Sequence, residues 1–217
     1  MRGLSPAVVA NPVARQGGYR AALVAALWLA LVVAGILLLE RHAATPGPLT
    51  AVSPHWPAAS ALELDQNGAT LVLFLHPRCP CSRATLAQLA AIQATRPRLT
   101  AYVVFVVPES QDPAWAEGEL WNLAQAIPGV QTVVDWKAVE TRRFAARTSG
   151  MALLFDRRGT CLFSGGITSA RGHAGDNLGQ QAILTWLSGQ SANTRRAPTY
   201  GCPLFSDETP SAPQGIL

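Results

Sequence analysis

Two cysteines separated by one proline stand within His76-Pro77-Arg78-Cys79-Pro80-Cys81-Ser82-Arg83, directly after the apolar run Leu71-Val72-Leu73-Phe74-Leu75. Thiols this close together can exchange with disulfides through a thiolate, or take up a soft metal ion. Exchange needs a thiol that ionises easily. A helix starting near Ser82 would set the motif at the positive end of the helix dipole, beside unpaired backbone N–H groups, and both favour the thiolate. Arg78, Arg83 and His76 add positive charge nearby. A purely structural role for Cys79 and Cys81 fits a proline-separated pair at a strand-to-helix junction less well than a redox or metal role.

The other two cysteines are Cys161 and Cys202. Cys161 opens a strand on which alternation gives it the same face as Phe163, so it reads either as a small core residue or as half of a disulfide. Cys202 lies in Tyr200-Gly201-Cys202-Pro203, where it could staple the tail to Cys161 or fold back to resolve the Cys79/Cys81 site. Four cysteines allow three pairings, and spacing does not choose among them. The glycine-rich stretch 165–177 carries His173 but lacks phosphate-binding spacing, and Asp176 or Asn177 reads as the cap of the helix that follows. Trp115, Trp121, Trp136 and Trp186 fit the inner faces or starts of helices. No Ser-His-Asp triad, phosphate loop or carboxylate pair is present in the sequence.

These residues need a scaffold, and the 217-residue chain offers one domain plus appendages. Residues 21–39 carry no charge, and at about 1.5 Å per residue they approach 30 Å, the depth of a bilayer's hydrocarbon core. The run is longer than the apolar region of a cleaved signal, and charges follow it directly, so it reads as a transmembrane anchor. Arg2, Arg15 and Arg20 precede it without an acid, which keeps residues 1–20 in the cytoplasm and exports the remainder. Residues 40–61 form a Pro-rich tether, 62–188 the folded domain, and 189–217 an irregular tail. The net charge of +4 is scattered without a basic-aromatic ladder, which argues against a nucleic-acid partner.

Within 62–188 the pattern alternates. Apolar runs at 71–76, 101–107 and 130–134 predict buried strands, separated by helices over 82–95 and from Asp112-Pro113 to Ile127. A helix over 137–147, strands at 151–155 and 161–164 joined through Arg157-Arg158-Gly159, and a helix over 177–187 complete the order. Alternating strands and helices imply an α/β class with a mostly parallel, mixed sheet covered on both faces and an antiparallel closing hairpin.

The run LVLFLHPRCPCSRATLAQL resembles the strand, active-site turn and first helix of the thioredoxin superfamily. The stretch VVDWKAVETRRFAARTSGMALLFDRRG is similar to membrane-anchored bacterial thiol-disulfide proteins and to peroxiredoxin-like domains. The resemblance implies a thioredoxin-like fold over 62–188, held at the bacterial inner membrane with the domain in the periplasm. It implies thiol-disulfide oxidoreductase activity on a protein dithiol or disulfide partner, with Cys79 and Cys81 as the redox pair. His76, Arg78, Pro80, Ser82 and Gly150 would support them. Two departures stand out. The family's C-x-x-C is here C-x-C, so either Ser82 occupies the second cysteine's place or one residue is missing between Cys79 and Cys81. Gly150 stands where the family has a cis-proline that helps position substrates. Relatives that deliver copper join two such cysteines to a distant loop histidine, which here implies a Cu(I) site of Cys79, Cys81 and His173; otherwise no cofactor is expected.

Overall fold

A computed structural model describes residues 12–48 and 51–205. Helix α1, Pro12–Ala43, contains the stretch Tyr19–Ala43, whose mean hydropathy reaches 2.9. Its Leu, Val, Ile and Trp side chains are exposed around the whole circumference, so the helix is long and apolar enough to cross a membrane. Residues from Ala43 onward form a separate compact unit.

That unit is built on a six-stranded mixed sheet. The strands are β1 Thr70–Leu75, β2 Thr100–Val107, β3 Val130–Trp136, β4 Met151–Phe155, β5 Cys161–Gly166 and β6 Arg196–Ala197, in the order β3-β2-β1-β4-β5-β6. β1, β2 and β3 run parallel, while β4 is antiparallel to both β1 and β5. β1 is buried on both faces, which explains why it reads as a continuous apolar run rather than an alternating one.

One face packs Leu71, Leu73 and Leu75 against Leu86, Leu89 and Ile92 of α2, Ser82–Thr95. Helices α3, Glu119–Gln125, and α5, Leu178–Leu187, complete that layer. The Asn177 side chain caps α5 by accepting from the Gln180 N–H at 2.8 Å. The helix expected from Asp112 is split. Asp112 does cap a start at Pro113, but only a single 3-10 turn, Pro113–Ala116, forms before α3.

The opposite face packs Val72, Phe74, Val104 and Phe155 against Phe144, beside the short α4, Val139–Arg143. The helix expected over 137–147 is reduced to α4 because Lys137, Ala138 and Ala145 take left-handed backbone angles at its two ends. Buried Asp135 substitutes for a helical cap, accepting from the Glu140 and Thr141 N–H groups at 3.0 and 2.8 Å.

Residues 51–61 of the expected tether and 195–205 of the expected tail are folded onto this unit. Trp56 sits edge-on to Phe144 and to Phe155, with ring centroids 5.1 Å away in each case. Ser60 Oγ and the Ala61 N–H donate to the Glu140 carboxylate at 2.7 and 3.1 Å. At the far end, β6 lies parallel to β5. Cys161 and Phe163 do not share a face, contrary to the alternation. The β4–β5 register shifts so that Leu154 faces Phe163 but Phe155 faces Cys161, a bulge that turns Cys161 into the Phe144 layer.

Candidate active site

The site forms where β1 ends and α2 begins. The chain turns tightly, with the Cys79 N–H bonded to the His76 carbonyl and the Ser82 N–H to the Cys79 carbonyl, both at 3.0 Å. This turn buries Cys79, which is 1% exposed, and leaves Cys81 half-buried immediately before α2, without a side-chain cap. Of the two placements open to Cys202, the structure has the one beside this turn. The Cys202 sulfur lies 3.2 Å from that of Cys79, across 123 residues of sequence, and all four cysteines are free thiols. Cys161 is elsewhere, half-buried with Sγ 3.4 Å from the Phe163 carbonyl, so the Cys161–Cys202 staple is not formed.

The electrostatics separate the thiols. Burial alone would raise the Cys79 pKa, but hydrogen bonds from the Cys202 thiol and N–H, the Ser82 hydroxyl and the Cys81 N–H outweigh it and hold the group below the ordinary thiol value. Hydrogen bonding of this kind favours the anion, which makes Cys79 the most easily ionised of the clustered thiols. Desolvation, then the charge on Cys79, pushes Cys81 up, partly offset by Arg171. Cys202 is raised to about 11 by desolvation and by Cys79, and Cys161 to about 11 by desolvation. Alkylation of the full chain by iodoacetamide across roughly pH 6–11 should therefore show Cys79 inflecting at the lowest pH, with Cys202 and Cys161 following near the top of that range. Peptide mapping reads the order, and an inflection for Cys79 above that of Cys202 would contradict this arrangement.

The expected supporting residues are divided. Ser82 belongs to the site, and its Oγ lies 3.0 Å from Ser149 Oγ, which also accepts from the His76 N–H at 2.9 Å. Pro80 lines a cleft of about 310 Å³ with Cys79 and Leu120. The charges foreseen near the thiols are engaged elsewhere: Arg83 pairs with Glu119 on the surface, and Arg78 lies 5.3 Å over the Trp115 ring. His76 packs edge-on against the same ring, and burial followed by Arg78 lowers its pKa, which disfavours a cationic imidazole. Arg171 supplies the cation instead, acting on Cys81 and Cys202 and donating to the Gly201 carbonyl. It was hidden in the glycine-rich stretch, which offers no spacing signal for it.

Gly150 has φ +94°, and its N–H donates to the Phe74 carbonyl at 2.8 Å. Proline could supply neither that angle nor that donor, so the local backbone itself accounts for the departure from the family pattern. His173 is exposed, with Nδ1 2.9 Å from the Arg171 carbonyl. Among the described residues, no group of three or more His, Cys, Asp or Glu side chains is placed to hold a metal ion.

No family model and no curated protein matches the sequence. Solved structures do match. An uncharacterised conserved protein from Geobacillus kaustophilus superposes with a TM-score of 0.54 at 18% identity, covering 78% of this chain and 94% of that one. A hypothetical protein from Sinorhizobium meliloti gives 0.50 at 22% identity, covering 74% and 93%. A thioredoxin-like protein from Aeropyrum pernix gives 0.43 at 10% identity, covering 72% and 96%.

Proposed function

We propose that this chain, a thioredoxin-like fold carried behind a membrane-spanning helix, is a thiol-disulfide oxidoreductase that works through Cys79. One observation carries the reading: a buried sulfur at a helix start has a second sulfur 3.2 Å away. The arginines at 2, 15 and 20 favour a cytoplasmic N-terminus, which sets the domain on the periplasmic side of a bacterial inner membrane.

The Cys79 thiolate attacks one sulfur of a partner's disulfide. A new S–S bond forms to Cys79, the partner's bond breaks, and the departing thiolate takes a proton from water. A second thiol of this chain then attacks Cys79 and releases the partner reduced. Cys81 and Cys202 are both within the cluster that could supply it.

The test is a glutathione redox series on the full chain in detergent, with thiols counted by mass spectrometry and with Cu(I) in a parallel set. The expected result is loss of two thiols, including Cys79, in one two-electron step. Thiols that stay reduced throughout would overturn the reading. If, in addition, one Cu(I) per chain shielded Cys79 and Cys81 from alkylation, the copper assignment would replace it.

A further inference from the structure

The C-terminal segment is fixed around the thiol at several points. The Ser149 N–H donates to the Cys202 carbonyl at 2.8 Å, and the Leu204 N–H to the Arg147 carbonyl at 3.0 Å. The Gly47 N–H donates to the Thr199 carbonyl at 2.8 Å, and Arg171 donates to the Gly201 carbonyl. Leu204 is 3% exposed, and Phe205 lies under Arg142 and Arg147, at 4.7 and 5.2 Å from its ring. Gly201 presses so close to Ser149 that a Cβ there would stand 1.9 Å from the Ser149 carbonyl oxygen. Such anchoring is not needed to cover the sheet edge, which β6 already does. Its effect is to deliver Cys202.

We propose that Cys202 is the resolving thiol of Cys79, and that the docked 199–204 segment is the arm that carries it. This rests on the exchange reading above. The sulfurs are 3.2 Å apart and a disulfide is about 2.05 Å, so a shift of roughly 1 Å closes the bond. The cleft beside Cys79 is lined by Pro77, Pro80, Glu117, Gly118 and Leu120 among others, and none of its lining residues belongs to the C-terminal segment. The cleft therefore borders Cys79 on a side the C-terminal segment does not occupy, so a partner seated there meets Cys79 without displacing Cys202.

The step balances as follows. The partner is bound to Cys79 through a mixed disulfide. Cys202 loses its proton to water and attacks the Cys79 sulfur; the Cys79–partner bond breaks, and the partner leaves as a thiolate that is then protonated. Over the two steps the partner's disulfide gains two electrons, Cys79 and Cys202 are oxidised to a disulfide, and Cys81 remains a thiol. A separate protein dithiol is the reductant that reopens Cys79–Cys202.

The test oxidises the full-length chain in detergent with a small disulfide and maps unreduced tryptic peptides. Cleavage after Arg78, Arg83 and Arg196 puts Cys79 and Cys81 together on one peptide and Cys202 on another. The expected product joins the two peptides, persists in Cys81→Ser and vanishes in Cys79→Ser. A ring within the 79–83 peptide as the main product, or a cross-link surviving Cys79→Ser, overturns the proposal. In Cys202→Ser the mixed disulfide with a disulfide-bonded model peptide should live at least about tenfold longer than in the wild type. Gly201→Val, which keeps every cysteine but cannot dock the arm, should do the same. Wild-type lifetimes in both variants would refute Cys202 alone, leaving Cys79 exchange intact; exchange persisting in Cys79→Ser would refute the underlying reading instead.

Discussion

Cys79→Ser is expected to bring disulfide exchange down to the uncatalysed background, a fall of at least about a thousandfold, because only a thiolate attacks a disulfide at a useful rate. The surroundings that favour the sulfur anion would hold a hydroxyl that stays protonated near neutral pH. Cys81→Ser is a milder change. Cys81 lowers the Cys79 pKa through its backbone N–H, which serine retains, and a serine hydroxyl can replace the Cys81 thiol as a hydrogen-bond partner of Cys79, so the loss should stay under about tenfold. Stopped-flow reduction of a small aromatic disulfide by the pre-reduced full chain measures both. Equal losses in the two variants would mean that the thiols act as an inseparable pair. A larger loss in Cys81→Ser would move the nucleophile to Cys81.

Trp56→Ala should lower the stability of the domain by about 3 kcal/mol, toward the low end for an aromatic-to-alanine change because the ring is only half-buried. The indole meets Phe144 and Phe155 edge-on at 5.1 Å, and both phenylalanines are fully buried beneath it. For a domain of this size the midpoint of thermal unfolding should drop by roughly 6–12 °C, read by circular dichroism on the full chain. A drop under about 1 °C would mean that the 51–61 segment is a free tether in solution, as its proline content suggests, and not part of the core.

What could be read from the sequence follows from where the apolar surface lies. β1, β2 and β4 are buried on both faces, so 71–75, 101–107 and 151–155 appear as unbroken apolar runs, and α2 is fixed by Leu86, Leu89 and Ile92. Cys79 and Cys81 were visible because the chemistry is local. Cys202 was legible as a cysteine with two possible places, beside Cys161 or beside Cys79, and spacing could not choose between them. Its placement depends on backbone-to-backbone bonds, which carry no side-chain signature, and on Arg171, which sits among glycines. The trace it does leave is Gly165, Gly166 and Gly201, where any side chain would strike the neighbouring backbone. Shortening of α4 and the β5 bulge had no trace either, since left-handed Lys137 and Ala138 and a one-residue register shift leave the hydropathy pattern unchanged.

β6 is two residues long, yet it occupies the flank of β5: the Ser164 N–H bonds to the Arg195 carbonyl at 3.0 Å and the Gly166 N–H to the Pro198 carbonyl at 3.3 Å. When that segment lifts away, those two donors face solvent on a flat, glycine-containing edge, the kind of surface on which a second chain can template. Truncation before residue 195, or a bulky C-terminal fusion that levers the tail off, would therefore turn a sheet margin covered by the chain's own tail into a seed for self-association.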